Sequence, residues 1–406
     1  MTRLGIALAT AGLAGASLAF AGWLAWPRGS QEPEDVLAAR LQALGYVEWA
    51  EAEDGRPARG VVSRDAARSE AGLNLFGSRG VGRAWLVDMD GATVHTWESS
   101  LPEAHWNHIE PLADGGLLVI DRASAIERLE RDSRTRWRVT LGAHHDLDVD
   151  AEGRIYALVA GVGSTWWDGR ELPIIVESVV VLSPEGEVLR TIALDPLLQQ
   201  FISEEQLDAL ASAARGPLHW WRRLRGEPVI EGTSDVYHAN SIELLDRDVP
   251  GLGERGDALI SLRNLDRVAV IDLEGPKLLW SAGPGLVDAQ HHASLLPSGN
   301  LLLFDNGRSR GWSRVIELDP AGELAWAWSG LPPATLFSRQ EGAAQRLPSG
   351  NVLVTESQQG RAYEVTPDGR VVWEFANPEI DPDRGARRAI SRMTRIFQDD
   401  AGSRAR

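Results

Sequence analysis

The chain contains no cysteine among its 406 residues. This absence excludes disulfide bonds, thiolate metal sites and cysteine nucleophiles together, so the sequence does not depend on the redox state of its compartment. Basic residues are also fewer than acidic ones. The chain has 41 Lys and Arg and 58 Asp and Glu, which gives a net charge of −17. A nucleic acid partner is therefore not expected, since phosphate binding needs a basic surface.

Long apolar runs are scarce, with one uncharged stretch of 23 residues from Leu4 to Trp26. About 20 such residues span a bilayer as a helix. Residues 1–27 are predicted to be a transmembrane anchor with its short Arg3 end in the cytoplasm. The alternative is a signal segment cut after Ala21, but the apolar run continues past that site. Either interpretation places the globular part outside the cytoplasm.

Two further segments are expected to differ from the rest of the chain. DVLAARLQALGYVEW, residues 35–49, has apolar residues at helical spacing and predicts a juxtamembrane helix within residues 28–70, where residues 59–70 are expected to be linker. Residues 195–234 form an insertion in which ISEEQLDALASAA is helical, with Ser203 as its N-cap. This insertion either exposes its HWWRRLRG sequence as a lid or packs over a neighbouring part of the domain.

From Gly72 onward a hairpin pattern recurs, made of an apolar strand, a turn with glycine and a second strand that usually carries Trp. The copies are AWLVDMDGATVHTW, VVVLSPEGEVLRTI, VAVIDLEGPKLLW, VIELDPAGELAWAW and AYEVTPDGRVVWEF, together with IERLERDSRTRWRV, in which Ser133 replaces the turn glycine. Gly275, Gly322 and Gly369 are 47 residues apart. The tryptophans near these turns should pack one copy against the next: Trp97, Trp137, Trp280, Trp326, Trp328 and Trp373.

A second hairpin alternates with the first, as in HWNHIEPLADGGLLVID and HHASLLPSGNLLLFDNG. Two hairpins in about 47 residues make four antiparallel strands, which is the content of one propeller blade. The sequence predicts an all-β, six-bladed propeller over residues 71–399, with the helical insertion in one blade and residues 400–406 as a tail. The C-terminal strand should complete the blade begun near Leu73 and so close the ring. A β-sandwich is the competing fold, but it does not explain the period.

Histidines recur at one position of the second hairpin. Counting eight residues back from the turn glycines of HHASLLPSGN and HHDLDVDAEG reaches His291 and His145. His238, which begins HANSIELL, is aligned with them, so three blades would start their first strand with histidine. First strands line the channel of a propeller, so the three imidazoles should converge there. Arg263, on the strand next to His238, would reach the same end of the channel.

Each of these histidines could simply be a capped, half-buried residue. Three of them in one register are harder to explain in this way, because burying polar groups costs free energy unless they are satisfied. A three-histidine zinc or copper site is the competing interpretation. Arg263 argues against it, since a cation beside an oxyanion gains Coulomb energy and a cation beside a metal ion loses it. Four adjacent histidines are expected behind the site or at the surface: His105, His108, His144 and His292.

Four stretches together resemble one family: DVYHANSIE, ISLRNLDRVAVID, DAQHHASLLPSGNLLLFDNG and AQRLPSGNVLVTESQQGRAYEVTPDGRVVWEF. They are similar to the arylsulfotransferases, the PAPS-independent aryl-sulfate sulfotransferases, which are six-bladed propellers of the bacterial periplasm. The resemblance extends from Leu73 to about Pro378. It implies transient sulfurylation of His291 and active-site roles for the residues of the other phrases, His145, His238, Asn240 and Arg263.

The resemblance also implies an aryl sulfate and a phenol as small-molecule substrates, with no cofactor and with a homodimer as one possible assembly. Together with the predicted anchor, it implies a single-pass protein of the inner membrane with its globular domain in the periplasm. His144 and His292 are expected to help bind substrate. The chain departs from the family in having no cysteine, so any family disulfide is missing. Its N-terminal region is also reduced to a short tether, which bears on dimerisation.

Sulfuryl transfer makes three chemical demands. Neutral imidazole, with a pKa near 6.5, can attack sulfur. The sulfuryl oxygens need cations or donors, and the phenols need an acid and a base. The sequence therefore predicts ping-pong transfer with His291 as nucleophile. Arg263, Asn240 and either His238 or His145 would stabilise the oxyanion, and the other histidine would act as acid and base. The alternatives are a non-catalytic cell-envelope propeller that binds a partner and a metal-dependent hydrolase that uses the same histidines.

Overall fold

The structure is a computed structural model that describes residues 48–50, 58–122, 124–213, 234–381, 383 and 385–397. Within them, six antiparallel sheets form the predicted six-bladed β-propeller. The expected transmembrane segment, residues 1–27, most of the expected juxtamembrane helix and the HWWRRLRG sequence lie outside these residues. No helix in the described part of the chain is long and apolar enough to cross a membrane.

The strands follow each other along the chain with few helices between them. The first eight are β1 Gly60–Arg64, β2 Leu73–Ser78, β3 Arg83–Val87, β4 Thr93–Glu98, β5 Trp106–Pro111, β6 Leu117–Asp121, β7 Ala125–Leu129 and β8 Thr135–Thr140. The next eight are β9 Ala143–Val149, β10 Ile155–Trp167, β11 Arg170–Leu182, β12 Val188–Ala193, β13 Ala239–Leu244, β14 Ala258–Leu262, β15 Arg267–Asp272 and β16 Lys277–Ala282. The last nine are β17 His291–Leu295, β18 Leu301–Asp305, β19 Arg314–Leu318, β20 Leu324–Ser329, β21 Ala343–Arg346, β22 Val352–Glu356, β23 Arg361–Val365, β24 Val371–Ala376 and β25 Ile390–Ile396.

The helices are short and lie in the connections between strands. The α-helices are α1 Asp195–Leu198 and α2 Glu204–Ala213, and the 3-10 helices are Gln199–Phe201, Arg263–Leu265, Pro333–Thr335 and Ser357–Gln359.

The ring closes through its last strand, as predicted. β25 pairs with β2 and completes the blade of β2, β3 and β4, with Leu73 opposite Ile396. The blades that follow are β5–β8, β9–β12, β13–β16, β17–β20 and β21–β24. The expectation of a linker over residues 59–70 is wrong for β1, which pairs with β24 as a fifth, outer strand of the last blade. A five-residue strand with little apolar periodicity gives no sequence signal, and an open strand edge supplies the pairing.

Apolar side chains fill each of the six blade interfaces, where one blade packs on the next. The predicted tryptophans lie there. The Nε1 of Trp137 donates to the carbonyl oxygen of Pro184 in the next blade at 2.9 Å, and Trp280, Trp328 and Trp373 make the same type of contact. Gly186, with φ 83°, is needed at that turn, because an added Cβ would lie 2.7 Å from the ring of Trp137. The sequence repeat therefore produces the same contact at several blade interfaces, in addition to the same strands in each blade.

The described part of the insertion packs on the domain. Leu210 of α2 is buried in the apolar cluster between the third and fourth blades, as is Leu198 of α1. Ser203 caps the N-terminus of α2 as predicted, with the backbone N–H of Gln206 donating to its Oγ at 3.2 Å. The Nε1 of Trp167, at the end of the 13-residue strand β10, donates to Asp208 of α2 at 2.9 Å. The helices and the extended β10–β11 hairpin thus form one packed unit.

Candidate active site

A cavity of about 50 Å³ lies where the inner strands begin, at the end of the channel that we call the upper face. Every blade contributes to its wall. In blade order, the contributing side chains include Arg79, Asn107, His145, Asn240, His291 and Glu341. The ring closure therefore brings together polar side chains that are distant in sequence, as the histidine pattern predicted.

The strand pairing corrects one of the predicted positions. The last residues of β13 and β17 both lie opposite the first residue of the strand that follows. Counting back four residues from each reaches Asn240 and His291, whereas His238 lies two residues earlier. The common register of three histidines is thus wrong for His238. The HANSIELL hairpin has a long connection in place of the short turn whose glycine fixed the count in the other blades, so the alignment slipped.

Backbone strain accompanies these inner strands. His145 and His238 adopt positive φ angles of 55° and 51°, and His292 has 49°. The left-handed region is uncommon for residues other than glycine and costs about 1 kcal/mol or more. The pairing of β9, β13 and β17 with their neighbours is interrupted by a bulge in the same place. Bulges re-aim side chains, and here they let adjacent residues of one strand present their side chains in and behind the cavity wall.

His291 is held as one defined tautomer. Its Nδ1 lies 2.8 Å from the Oδ1 of Asn306 and 3.1 Å from the carbonyl oxygen of Ala289, and both atoms are acceptors. The Asn306 amide cannot be reversed without loss, because its nitrogen donates to the carbonyl oxygens of Ser338 at 2.6 Å and Glu341 at 3.0 Å. Nδ1 of His291 therefore carries the hydrogen. Its Nε2, which has no hydrogen-bond partner among the described residues, keeps the lone pair.

The surroundings of His291 keep it neutral. Burial lowers the pKa of His291 well below its ordinary value, and the nearby positive charge of Arg263 lowers the pKa further. The hydrogen bonds to Asn306 and Ala289 act in the opposite direction but do not reverse the shift. A neutral imidazole with a free lone pair at neutral pH is a competent nucleophile.

His238 forms a second histidine unit. Its Nδ1 donates to Oδ2 of Asp235, and both side chains are buried. Its ring lies against that of His145, with 4.7 Å between the centroids. Burial lowers the pKa of His145 well below the ordinary value, with His238 as the next cause. The Asp235 carboxylate makes His238 a candidate for acid–base chemistry.

Arg263 lies beside both histidine units. It begins a 3-10 helix at the end of β14, and its backbone N–H donates to the carbonyl oxygen of His238 at 3.0 Å. The residue is 8% exposed, and its Nε has no hydrogen-bond partner among the described residues. Leaving a buried, charged donor unmatched costs roughly 1–3 kcal/mol or more. A bound anionic oxygen would recover that cost.

Asn240 offers mainly an acceptor. Its Nδ2 donates to the carbonyl oxygen of Gln290 at 2.8 Å, and its Oδ1 is buried without a hydrogen-bond partner in the described part of the chain. Asn240 was expected to donate to the oxyanion, and only the second N–H of its amide is left for that role. The oxygen fits a hydroxyl group that approaches the cavity.

The two histidines that were predicted to bind substrate, His144 and His292, lie in different surroundings. His144 is fully buried, and its Nε2 lies 2.9 Å from Oε2 of Glu177, behind His145 and away from the cavity wall. It supports the blade rather than facing a ligand. His292 lies on the floor of the cavity and also borders a second cavity of about 790 Å³ further down the channel. Burial lowers its pKa well below the ordinary value.

The floor contains a charged cluster that the sequence did not predict. Arg392 donates to Oε2 of Glu110 at 3.0 Å and lies 3.7 Å from Oδ1 of Asp146. The same Asp146 oxygen is 3.2 Å from Nδ1 of His108. Burial lowers the pKa of His108 to about 3, so its imidazole is neutral despite its acidic neighbour. His108 was expected behind the site or at the surface, but it lines the cavity.

The wall holds a second unpredicted feature, a buried ion pair. The guanidinium of Arg79 donates to both carboxylate oxygens of Glu341, at 2.5 and 3.1 Å. Burial raises the pKa of Glu341, whereas Arg79 lowers it. No local pattern could link two residues in the first and last blades. Asn306 and Asp235 were missed for a different reason, because they were read as parts of larger phrases rather than as partners of a histidine.

Within the described residues, no three His, Asp or Glu side chains are arranged so that they could hold a metal ion. The cavity is instead lined by imidazoles, guanidiniums and amides, among them His291, Arg79 and Asn240. His238 and Arg263 do not line it but adjoin its wall, since His238 packs on the ring of His145 and Arg263 N–H donates to the carbonyl oxygen of His238. This geometry defines the class of the protein, a β-propeller with a polar pocket of imidazoles and a guanidinium at the upper end of its channel.

A family model described as arylsulfotransferase (ASST) matches residues 108–378. The chain therefore belongs to the arylsulfotransferase family, as its sequence phrases indicated. A comparison with curated proteins gives no match.

Among solved structures, the chain is similar to a protein of unknown function from Bacteroides caccae. The identity is 14%, the TM-score is 0.51, and the match covers 80% of this chain and 99% of that one. A streptogramin B lyase structure matches at 13% identity and a TM-score of 0.46, covering 85% of this chain and 94% of that one. At 14% identity, the first likeness concerns the fold alone.

Proposed function

We propose that the protein transfers a sulfuryl group from an aryl sulfate to a phenol through a covalent intermediate on His291. One observation carries the proposal. The chain belongs to a family of sulfotransferases, and His291 lines its cavity. The Nδ1 of His291 is hydrogen-bonded to Asn306, whereas its Nε2 has no partner among the described residues. The guanidinium of Arg263, whose Nε also has no partner among them, is nearby.

In the first half-reaction, the Nε2 lone pair of His291 attacks sulfur, so that an N–S bond forms and the bond from sulfur to the aryl oxygen breaks. The bonding electron pair leaves with the aryl oxygen. His238 in its protonated form gives that oxygen a proton while Asp235 supports the ring. Arg263 donates to the sulfuryl oxygens, where negative charge accumulates. The sulfurylated imidazole keeps its Nδ1 hydrogen on Asn306.

In the second half-reaction, the acceptor phenol takes the place of the released one. Its hydroxyl oxygen attacks sulfur, the N–S bond breaks, and the electron pair of that bond returns to Nε2 of His291. The Nε2 of His238 takes the phenol proton and so regains the form that the next donor requires. Protons and charge balance over one cycle, and transfer is ping-pong. The Oδ1 of Asn240 is suited to accept the hydroxyl hydrogen as the phenol enters.

The expected location belongs to the same proposal. We infer that residues 1–27 tether the protein to the inner membrane and that the propeller works in the periplasm. The 23-residue apolar run supports the inference. Separation of cell fractions with and without residues 1–27 tests it, because the truncated protein should leave the membrane fraction.

The test of the chemistry is intact-mass analysis after incubation with p-nitrophenyl sulfate and no acceptor. One added sulfuryl group, mapped to His291, is expected, and later addition of phenol should remove it. His291→Ala should acquire no mass and show no transfer, whereas His144→Gln should retain both. Turnover in His291→Ala would overturn the nucleophile assignment. Wild-type protein that neither gains mass nor transfers would support a non-catalytic, partner-binding propeller instead.

A further inference from the structure

Two exposed arginines stand beside the catalytic cavity without acidic partners. Among the described residues, neither Arg308 nor Arg339 forms an ion pair or a side-chain hydrogen bond through its guanidinium, although both are exposed. Nearby Arg310 and Arg314 behave differently, since both are paired with Asp305. In a chain with a net charge of −17, two uncompensated arginines at one place form a local positive patch.

Their backbone positions tie these arginines to the reacting histidine. Arg308 follows Asn306, the partner of His291, by two residues. Arg339 directly follows Ser338, whose carbonyl oxygen accepts the amide N–H of the same Asn306 at 2.6 Å. Both segments belong to connections at the upper face, where the inner strands begin. The two side chains therefore start from backbone that Asn306 holds at the edge of the cavity.

The positive charges of Arg308 and Arg339 also act on Arg263. After burial, Arg308 is the largest cause of the lowered pKa of Arg263, and Arg339 contributes in the same direction. The acidic groups that act on Arg263 are Asp235 and Glu341. Both are already engaged, Asp235 by His238 and Glu341 by Arg79. An inner guanidinium with an unmatched Nε and two outer guanidiniums thus form a set of positive charges running outward from the cavity.

We propose that Arg308 and Arg339 form an outer anion site and that the donor is an aryl sulfate with a second anionic group, such as a carboxylate. This assignment rests on the proposed function and specifies its substrate class. The sulfate group lies against His291 and Arg263, the ring extends toward the upper face, and the second anion lies between the two outer arginines. A single anionic group would leave these two cations unmatched, whereas a dianion matches both the inner and the outer positions.

The test compares two donors that differ only in that second charge, 4-sulfooxybenzoate and its methyl ester. Their dissociation constants are measured by titration calorimetry on the His291→Ala protein, which cannot turn them over. We expect the carboxylate to bind roughly tenfold more tightly than the ester at low salt, because two exposed ion pairs contribute modestly and are screened by salt. Adding R308Q and R339Q should remove this preference. Adding R370Q, which changes an exposed arginine at a turn on the opposite face, should preserve it.

Two results would overturn the outer site. One is equal binding of the two donors before R308Q and R339Q are added. The other is an equal loss for both donors afterwards, which would indicate general attraction of anions only. Failure of the proposed function looks different, because the carboxylate preference would persist on His291→Ala while the wild-type protein transferred no sulfuryl group from either donor.

Discussion

The Nδ1 of His291 lies 2.8 Å from Oδ1 of Asn306, and the nitrogen of that amide donates to two backbone carbonyls of the connection between the fifth and sixth blades. The proposed nucleophile is thus oriented by a residue that is itself fixed between two blades. An imidazole held in this way keeps its lone pair on one nitrogen and in one direction. The propeller therefore holds the Nε2 of His291, the atom proposed to react, in a fixed position.

Replacing Asn306 by alanine should lower kcat/KM for sulfuryl transfer by roughly 10²-fold. The ring of His291 would lose both its orientation and its preferred tautomer. The added mass of the donor-treated protein should also appear more slowly. Asn351→Ala is a matched control, because Asn351 is equally buried and donates to Glu364 at 2.7 Å far from the cavity. An Asn306→Ala protein with the same kcat/KM as Asn351→Ala would contradict the positioning role.

The pH dependence of the first half-reaction follows from the lowered pKa of His291. Because the pKa lies well below 6.5, the imidazole stays neutral as the pH falls through 6.5. With p-nitrophenyl sulfate, whose leaving group needs little proton donation, the rate of single-turnover sulfurylation should therefore be flat from pH 8 through pH 6.5 and decrease only in more acidic solution. Arg263→Gln removes a nearby positive charge, so the pKa of His291 should rise and the acidic decrease should begin at higher pH. Rapid-quench mass analysis measures both profiles, and an identical midpoint in the two proteins would count against Arg263 as a cause.

Much of the fold could be read from the sequence because a propeller repeats its local chemistry. The period of 47 residues, the turn glycines and the interface tryptophans all recur, and even Ser133 adopts a positive φ of 68° where the glycine was missing. The strand β1 could not be predicted, because it is defined by its partner β24 rather than by its own residues. Local repetition thus predicts blades well and edge strands poorly.

The site was partly predictable for a related reason. Topology alone brings together His145, Asn240 and His291, which lie in repeated strands, and Arg263, which directly follows one. The partners that define their chemistry do not repeat. The Arg79–Glu341 pair spans the closure of the ring, and His238 was assigned the wrong register because its hairpin has a longer connection. Tautomers and ion pairs are properties of tertiary contacts, which a single sequence does not reveal.

Glu356 provides a test of the structure away from the catalytic cavity. Burial raises its pKa from 4.5 to about 7, although Phe337 N–H and the Tyr363 hydroxyl donate to it at 2.8 and 2.9 Å. A raised folded-state pKa contributes stability that is full below pH 4.5 and is lost as the pH rises through 7. Glu356→Gln should therefore increase the free energy of unfolding at pH 8 by about 1–3 kcal/mol, and the melting temperature should rise with it. Near pH 4.5 the substitution should change both quantities little.

The control for Glu356→Gln is another buried glutamate with the opposite expectation. Glu364 pairs with Arg395 at 3.0 Å, and both side chains are fully buried. Glu364→Gln should destabilise the protein by roughly 3–5 kcal/mol, since it leaves a buried guanidinium without its anion. Thermal unfolding of both variants at pH 5 and pH 8 separates the two cases, and a destabilised Glu356→Gln at pH 8 would disprove the raised pKa.

The role of His238 can be separated from that of His291 by changing the leaving group. Asp235 supports His238, so Asp235→Asn should impair proton donation to the departing phenolate and leave the attack by His291 intact. p-Nitrophenolate is a weak base and leaves without much help, whereas phenolate needs a proton. Asp235→Asn should therefore lower kcat/KM for phenyl sulfate by roughly 10²-fold or more and for p-nitrophenyl sulfate much less. His238→Gln should show the same bias, and His145→Gln should not, because the proposed proton transfer uses His238 alone. Equal losses for both donors in Asp235→Asn would mean that Asp235 maintains the shape of the pocket rather than the acid–base chemistry of His238.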